Sequence, residues 1–413
     1  MKRITIVGGG QSGLQLGIGL LQKGYDVKMI QDRTAHEIAN GRVTSSQCQF
    51  DAALTLERDL GINFWEDACP PVEGISFSVP NPEGPGKVIE WSSRLDQKAQ
   101  SIDQRVKMPR WLAEFERLGG KLIITQADIP MLEAEAKAAD LVIVASGKGD
   151  IGKLFERDAE RSPFDAPQRA LALTYVHGMT PRDNFSAVSF NLIPGVGEYF
   201  VFPALTKSGP CEIMVFEGVP GGPMDCWRDV KTPAEHLAKS KDILNTFLPW
   251  EADRCRNIEL TDGDGILAGR FPPTVRKPVG TLPSGALVLG MGDAVCLNDP
   301  ITGQGANNAA KAAGVYLDAI LRHGEQHGDH PFDAAWMQAT FERFWEYAQW
   351  VVRWTNMMLL PPPPFVLEIM GSAQVLPGLA HRIANGFDDP RDFFPWFADP
   401  TAAQEYLTSL QAA

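Results

Sequence analysis

Ile4-Thr5-Ile6-Val7-Gly8-Gly9-Gly10-Gln11-Ser12-Gly13 decides the fold. The run from Ile4 to Val7 predicts a short strand, and the glycines after it predict a tight turn. Leu14, Leu16, Ile18, Leu20 and Leu21 then give the apolar side of a helix ending near Gly24, and Val27 to Ile30 reads as a second strand. Within this βαβ opening, Gly8-x-Gly10-x-x-Gly13 has the spacing of a dinucleotide loop. The first glycine makes the turn, the second lets the backbone approach a pyrophosphate, and the third lets helix and strand pack closely. The helix start, with Gln11 and Ser12, offers unpaired N–H groups to the phosphates. An acid usually ends the second strand and binds the adenosine ribose. Here Gln31 stands at that place with Asp32 next to it, and either can meet ribose hydroxyls.

A third parallel strand is expected far downstream, at Leu141-Val142-Ile143-Val144, after a helix from Met131 to Ala138. Its unbroken apolar run suits burial on both faces. From Leu171 to Phe216 short strands alternate with turns such as Pro194-Gly195 and Ser208-Gly209-Pro210. Ser189, Asn191 and Glu198 interleave there with apolar residues, which predicts an antiparallel sheet with one wetter face. Pro233 to Leu248 reads as helix and Leu287 to Gly290 as a further strand. Phe332 to Leu360 reads as a helix whose aromatic stripe, from Trp336 to Trp354, has core spacing, and Pro361 to Pro364 ends it. The expected class is α/β. A discontinuous nucleotide-binding domain takes residues 1–75, 100–165 and 280–330. An antiparallel-sheet substrate domain takes 76–99 and 166–279, and a C-terminal helical region takes 331–413.

A second motif follows the strand at Leu287. Gly292-Asp293-Ala294 leads into Asp299-Pro300-Ile301-Thr302-Gly303-Gln304-Gly305-Ala306-Asn307. An aspartate after a strand can bind a ribityl hydroxyl. The turn made by Pro300, Gly303 and Gly305 opens a helix, so backbone N–H groups around Ala306 face a flavin's pyrimidine edge, where reduced flavin is negative. Asn307 is a further candidate for contact with that edge.

Together these residues resemble the FAD-dependent monooxygenases of the p-hydroxybenzoate hydroxylase fold, with a Rossmann-like FAD-binding domain. With Gly41-Arg42, Asp103-Gln104-Arg105, Ser162-Pro163-Phe164, Pro167-Gln168-Arg169-Ala170 and Arg353-Trp354-Thr355-Asn356, the chain resembles the oxygenase component of styrene and indole monooxygenases over essentially its whole length. The resemblance implies a two-component system. A separate NADH:flavin oxidoreductase supplies reduced FAD, dioxygen is the cosubstrate, and a flavin hydroperoxide carries oxygen to an electron-rich C=C bond. The resemblance places Arg42 and Arg105 beside FAD. It asks for no catalytic side chain, because the cofactor performs the transfer. Single-component relatives carry an Asp-Gly motif for NADPH where this chain has Val144-Ala145-Ser146-Gly147-Lys148-Gly149.

The same resemblance separates styrene from indole types by pocket positions. Ser45, Gln47, Val72, Ile75 and Ala99 fall on the indole side, while Gln49 stands where that type usually has Met. Gln47 can accept from an indole N–H, and Val72, Ile75 and Ala99 can line an apolar slot. The expected reaction is attack on the indole C2=C3 bond, giving indoxyl and then indigo, with styrene epoxidation the alternative. A non-catalytic flavin carrier is a more distant one. A halogenase is disfavoured, since Trp345, Trp350 and Trp354 do not have its tryptophan spacing.

Composition narrows the class from the other direction. Acidic residues outnumber basic ones by 51 to 38, giving a net charge of −13, which disfavours a nucleic-acid partner. No apolar run reaches the ~18 residues of a membrane span. The start at Met1-Lys2-Arg3 runs directly into a strand, so the expected location is cytoplasmic. The six cysteines lack metal or disulfide spacing, and His177, His323, His327 and His330 read as structural or surface residues, so no metal is expected. A homodimer is an open expectation.

Overall fold

The computed structural model describes residues 2–147, 149–328 and 330–411. Its strands are β1 (Arg3–Val7), β2 (Asp26–Gln31), β3 (Pro71–Pro80), β4 (Lys87–Gln100), β5 (Lys121–Ile124), β6 (Leu141–Val144), β7 (Ala170–His177), β8 (Ala187–Ile193), β9 (Gly197–Thr206), β10 (Gly209–Gly218), β11 (Glu259–Leu260), β12 (Ile266–Gly269), β13 (Thr274–Val275), β14 (Val279–Thr281), β15 (Leu287–Gly290) and β16 (Cys296–Leu297). Its helices are α1 (Gln11–Gln22), α2 (Ala35–Ala39), α3 (Asp51–Asp59), α4 (Gln104–Arg117), α5 (Ile129–Ala138), α6 (Gly149–Gly152), α7 (Pro233–Phe247), α8 (Pro249–Arg254), α9 (Gly305–His327), α10 (Ala334–Met358), α11 (Pro364–Ser372), α12 (Pro377–Asn385) and α13 (Pro400–Gln411).

The first sheet runs β14-β15-β6-β1-β2-β5, parallel except for β14. The chain leaves β1 toward β2 on one side and returns later to β6 on the other. That reversal opens a crevice at the carboxyl ends of β1 and β6, the place where such sheets bind ligands. Leu141 to Val144 are all buried, which is why this strand reads as a continuous apolar run.

The second sheet runs β11-β7-β10-β9-β8-β3-β4, with β12 also on β7, and only the β3–β8 pairing is parallel. Residues 71–75 lie with this sheet because β3 belongs to it entirely. Alternation along β9 sorts its side chains. Phe200 and Phe202 enter an apolar cluster with Trp354, Ile369, Leu379 and Leu407 of the C-terminal helices. Tyr199 and Val201 face Phe216, Trp227, Ile243 and Leu244, under α7 and α8.

The expected wetter face is therefore dry. Ser189, Asn191 and Glu198 are all buried: α7 and α8 cover Ser189 and Asn191, while Glu198 points to the opposite face, where Arg169 pairs with it. Their polarity is absorbed internally. Arg182 donates to Ser189 Oγ at 2.8 Å. Ser78 Oγ and Trp250 Nε1 donate to Asn191 Oδ1 at 2.6 and 2.9 Å. Such pairing is what buried polar groups require.

α10 joins the layers. Phe341 and Phe344 pack in the nucleotide core, and Trp354 in the core under the second sheet. Pro361 to Pro364 end this helix as expected, and Pro364 opens α11. All six cysteines are free thiols. Among the described residues, no helix is long and apolar enough to cross a membrane.

Candidate active site

The crevice is shaped first by what its glycines lack. Gly8 has φ +114°, and a Cβ there would meet the backbone of Ala145, after β6, at 2.9 Å. A Cβ on Gly13 would sit 1.9 Å from the Gly8 carbonyl oxygen. A Cβ on Gly10, by contrast, meets nothing within 4 Å. Two glycines are thus demanded by the protein's own packing, and the middle one faces free space. No side chain caps the start of α1, so its N–H groups remain available to an anion.

The second motif closes on the first. A Cβ on Gly292 would lie 2.6 Å from Ser12 Oγ, and one on Gly147 would lie 3.5 Å from the Asp293 carbonyl. Asp293 is open to solvent, yet protein surrounds it closely enough to push its carboxyl up to about 6. The carboxyl is thus crowded by protein yet exposed, so a ligand can reach it. Gln31 lies over the glycine turn: a Cβ on Gly9 would strike its Oε1 at 1.9 Å, and its Nε2 donates to the Arg33 carbonyl at 2.5 Å. Asp32 is exposed, 3.7 Å from Arg33.

At the other end of the cleft, Pro300–Thr302 forms a 3-10 turn and Gly303 closes it in the left-handed region (φ +65°). Asp299 Oδ1 accepts from Ile301 N at 3.1 Å and fixes that turn. α9 then begins at Gly305 with no side-chain cap, leaving the N–H groups of Gly305, Ala306 and Asn307 open. The Asn307 side chain is otherwise occupied. Its Oδ1 accepts from Phe50 N at 2.9 Å, and its Nδ2 donates to the Cys48 and Gly303 carbonyls at 2.9 and 3.1 Å. It fastens the strip 48–50 to α9 and leaves only its backbone N–H for a ligand. Its neighbour Asn308 is the residue the sequence reading missed. Both amide atoms of Asn308 are buried without a partner. The available signal was a pair of amides in the first turn of an alanine-rich helix. Open helix N–H groups, an orphaned amide and a cradle without side chains all fit a flavin dinucleotide.

The two arginines differ. Arg42 is exposed, beside a cavity of about 300 Å³ that Trp227, Lys231, His236 and Asp264 also line. Arg105 is buried and engaged by protein. It donates to Asp262 at 2.9 and 3.1 Å, to Asp103 at 2.9 Å and to Thr206 at 3.3 Å. Its remaining hydrogen bond goes to the Gly41 carbonyl, at 3.4 Å, so it holds the Gly41-Arg42 loop.

The five pocket positions converge. Val72 and Ala99 are direct partners across β3 and β4. Both join Ile75 and Tyr175 in one buried apolar cluster. Ser45 Oγ donates to Gln47 Oε1 at 2.7 Å, and the Tyr175 hydroxyl donates to the Ser45 carbonyl at 2.9 Å. None of the five lines the cavity beside Arg42.

Gln49 has its own explanation. Its Nε2 donates to Glu57 Oε1 at 2.7 Å, and its Oε1 accepts from Lys107. Lys107 and Glu57 form a fully buried ion pair at 2.5 Å, which Gln11 joins by donating to Glu57 at 2.8 Å. A methionine at position 49 would leave this pair short of a partner. His177 is held by the Pro210 carbonyl and Ser208 Oγ, at 3.0 and 2.8 Å. Among the described residues, no group of three or more histidine, cysteine or acidic side chains is placed to hold a metal.

Comparison with known proteins agrees with this geometry. Residues 147–254 match the family described as "Styrene monooxygenase A putative substrate binding domain". In three dimensions the chain is similar to the flavin-dependent brominase Bmp2, with a TM-score of 0.65 at 15% identity over 99% of both chains. It is also similar to p-nitrophenol 4-monooxygenase from Pseudomonas putida, with a TM-score of 0.59 at 15% identity over 99% of this chain and 98% of that one. The α/β architecture is thus the p-hydroxybenzoate hydroxylase-like one, and the chain also matches sequence relatives end to end. Those relatives include styrene monooxygenase StyA of Pseudomonas fluorescens, 28% identical over 411 residues, which covers 97% of this chain and 96% of the relative. A StyA from a Pseudomonas species is 28% identical over 99% of this chain and 98% of its own length.

Proposed function

We propose that this chain is the oxygenase half of a two-component epoxidase. It takes reduced FAD from a separate NADH:flavin oxidoreductase and, with dioxygen, oxidises the C=C bond of a small aromatic substrate. The observation that carries this reading is the single cleft formed by Gly8–Gly13, Asp293 and the open start of α9. When bound, reduced FAD would supply the activation of dioxygen. The chain's residues do the rest. The α1 N–H groups, with Gly8, Gly10, Gln11, Ser12 and Gly13, would seat the pyrophosphate. Gln31 or Asp32 would take the adenosine ribose, and Asp293 a ribityl hydroxyl. Pro300, Gly303, Gly305, Ala306 and Asn307 would present backbone to the isoalloxazine edge, and the exposed Arg42 would be free to meet the bound cofactor. The apolar cluster of Val72, Ile75 and Ala99 would hold the substrate and exclude water.

Full-length similarity to styrene monooxygenases supports styrene as the substrate type. Indole is the second reading, favoured by Ser45, Gln47, Val72, Ile75 and Ala99: Gln47 Oε1, which accepts from Ser45, keeps a lone pair for an indole N–H. Competition between the two substrates, with chemically reduced FAD and dioxygen, tests the choice. Styrene oxide dominating the products supports the styrene reading. Indigo dominating them replaces it with indole.

A further inference from the structure

Behind the Pro300–Gly303 turn lies a cluster of charge that the proposed chemistry does not use. Glu198 and Glu217 are direct partners across β9 and β10, and both are buried. Like charges opposite one another on neighbouring strands repel. Arg169 relieves only one of them. It donates to both oxygens of Glu198, at 2.6 and 2.9 Å, and its Nη1 donates to the Gln168 and Leu359 carbonyls. Neither Glu217 oxygen receives an N–H, and neither does Asp299 Oδ2, although both side chains are nearly inaccessible to water. Instead the Glu217 and Asp299 carboxyls lie within hydrogen-bonding reach of each other, with no N–H or O–H donor among the described residues reaching either Glu217 oxygen or Asp299 Oδ2. Two carboxylates have no hydrogen to share, so this contact requires a bound proton. Burial and mutual repulsion push the Glu217 carboxyl well above the ordinary range, and burial raises Asp299.

The charged groups facing the pair are Arg169 and Glu198. With one proton on the pair, the four groups carry a net charge of about −1; without it, about −2. Asp299 also caps the turn that leads into α9, so the pair's charge lies directly behind the proposed flavin edge. We propose that Glu217 and Asp299 are positioning residues that share one proton, and that this proton permits the cleft to prefer the negatively charged reduced flavin over the oxidised form. The inference rests on the FAD reading given above. Loss of the proton at high pH places a second negative charge behind the site and weakens binding of the reduced form selectively.

The test measures dissociation constants of oxidised and anaerobically reduced FAD across the neutral and alkaline range, for the wild-type chain, Glu217→Gln and Asp299→Asn. Each amide can donate to the remaining carboxylate and so fixes the proton-loaded charge. In the wild type, the preference for reduced FAD should fall with rising pH, by up to about tenfold per unit where the pair titrates, as linkage to one proton requires. Both variants should lose that slope, while ionisation of the flavin itself is common to all three proteins. A slope shared by variants and wild type, or absent from the wild type, overturns the inference and leaves the FAD reading standing. Failure of the wild type to bind either form of FAD defeats that reading and the inference with it. Should the variants not fold, the infrared spectrum of the wild type decides. A protonated-carboxyl C=O band that vanishes as the preference falls supports the pair, and the lack of such a band contradicts it.

Discussion

The glycine crevice is open to solvent and the second sheet is buried, and the two are built by opposite means. The crevice is made of missing atoms: Gly8 and Gly13 have no room for a side chain, and Gly10 leaves room for something else. The second sheet and its borders are made of costly atoms, including Glu198, Glu217 and Asn191, and one further buried pair, Glu57–Lys107, lies beside the crevice where Gln11 joins it. The contrast teaches where each kind of function resides. In the proposed reading, shape positions the cofactor and buried charge tunes what surrounds it.

The largest expected effect lies with buried charge. Lys107→Met leaves the buried Glu57 charge with only the neutral amides of Gln49 and Gln11 as partners, so stability should fall by ~3–5 kcal/mol in denaturant titrations. Adding Glu57→Gln should restore much of the loss. If Lys107→Met alone proves neutral, the buried pair has no weight.

Two substitutions probe the crevice. Gly13→Val should cost ~3 kcal/mol and abolish FAD binding, because its Cβ would overlap the Gly8 carbonyl. Gly10→Ala should leave thermal stability unchanged or slightly higher, since its φ of −87° suits alanine. FAD affinity should nevertheless drop at least ~10-fold, equivalent to ~1.4 kcal/mol. Equal affinity would mean that the free space beside Gly10 is not where the pyrophosphate lies.

The regions should also part company with pH. Burial lowers His236, beneath the second sheet, to about 4, so it is neutral in the fold. The stability it contributes is complete above its ordinary value of 6.5 and is lost as pH falls through about 4, up to ~3 kcal/mol. Asp293 behaves in the opposite sense. Its carboxyl is raised to about 6, so its contribution is complete below the ordinary 3.8 and is lost as pH rises through about 6. Unfolding of His236→Phe and Asp293→Asn across this range should flatten the acid limb and the upper limb respectively.

The smallest effect concerns substrate choice. Gln47→Leu should lower kcat/KM for indole by ~10-fold, the worth of one hydrogen bond, and leave styrene nearly unaffected. Equal losses for both substrates would assign Gln47 to packing.

The sequence made the crevice legible because its requirements are local. The glycine spacing lies within six residues, and the apolar runs Leu141–Val144 and Leu287–Gly290 coincide with β6 and β15. The second motif could be placed beside the first only through the family resemblance, since 280 residues separate Ser12 from Gly292. Buried charge was not legible. Glu217 and Asp299 meet through sheet register and a turn, and nothing near either residue announces the other. The wetter face was misjudged for a related reason: alternation records polarity, but whether water or Trp250 satisfies Asn191 depends on a helix that starts 58 residues later. β5 escaped notice because Ile123 and Ile124 sit exposed on an edge.

The central claim is that the fold receives reduced flavin ready-made and directs its oxygen chemistry. The direct measurement mixes the purified chain with chemically reduced FAD, dioxygen and styrene or indole, with no nicotinamide present, and analyses the products. An oxygenated aromatic formed in proportion to the reduced FAD supplied is the predicted result. NADH oxidation by the chain alone, or an unchanged substrate despite bound reduced FAD, would contradict it.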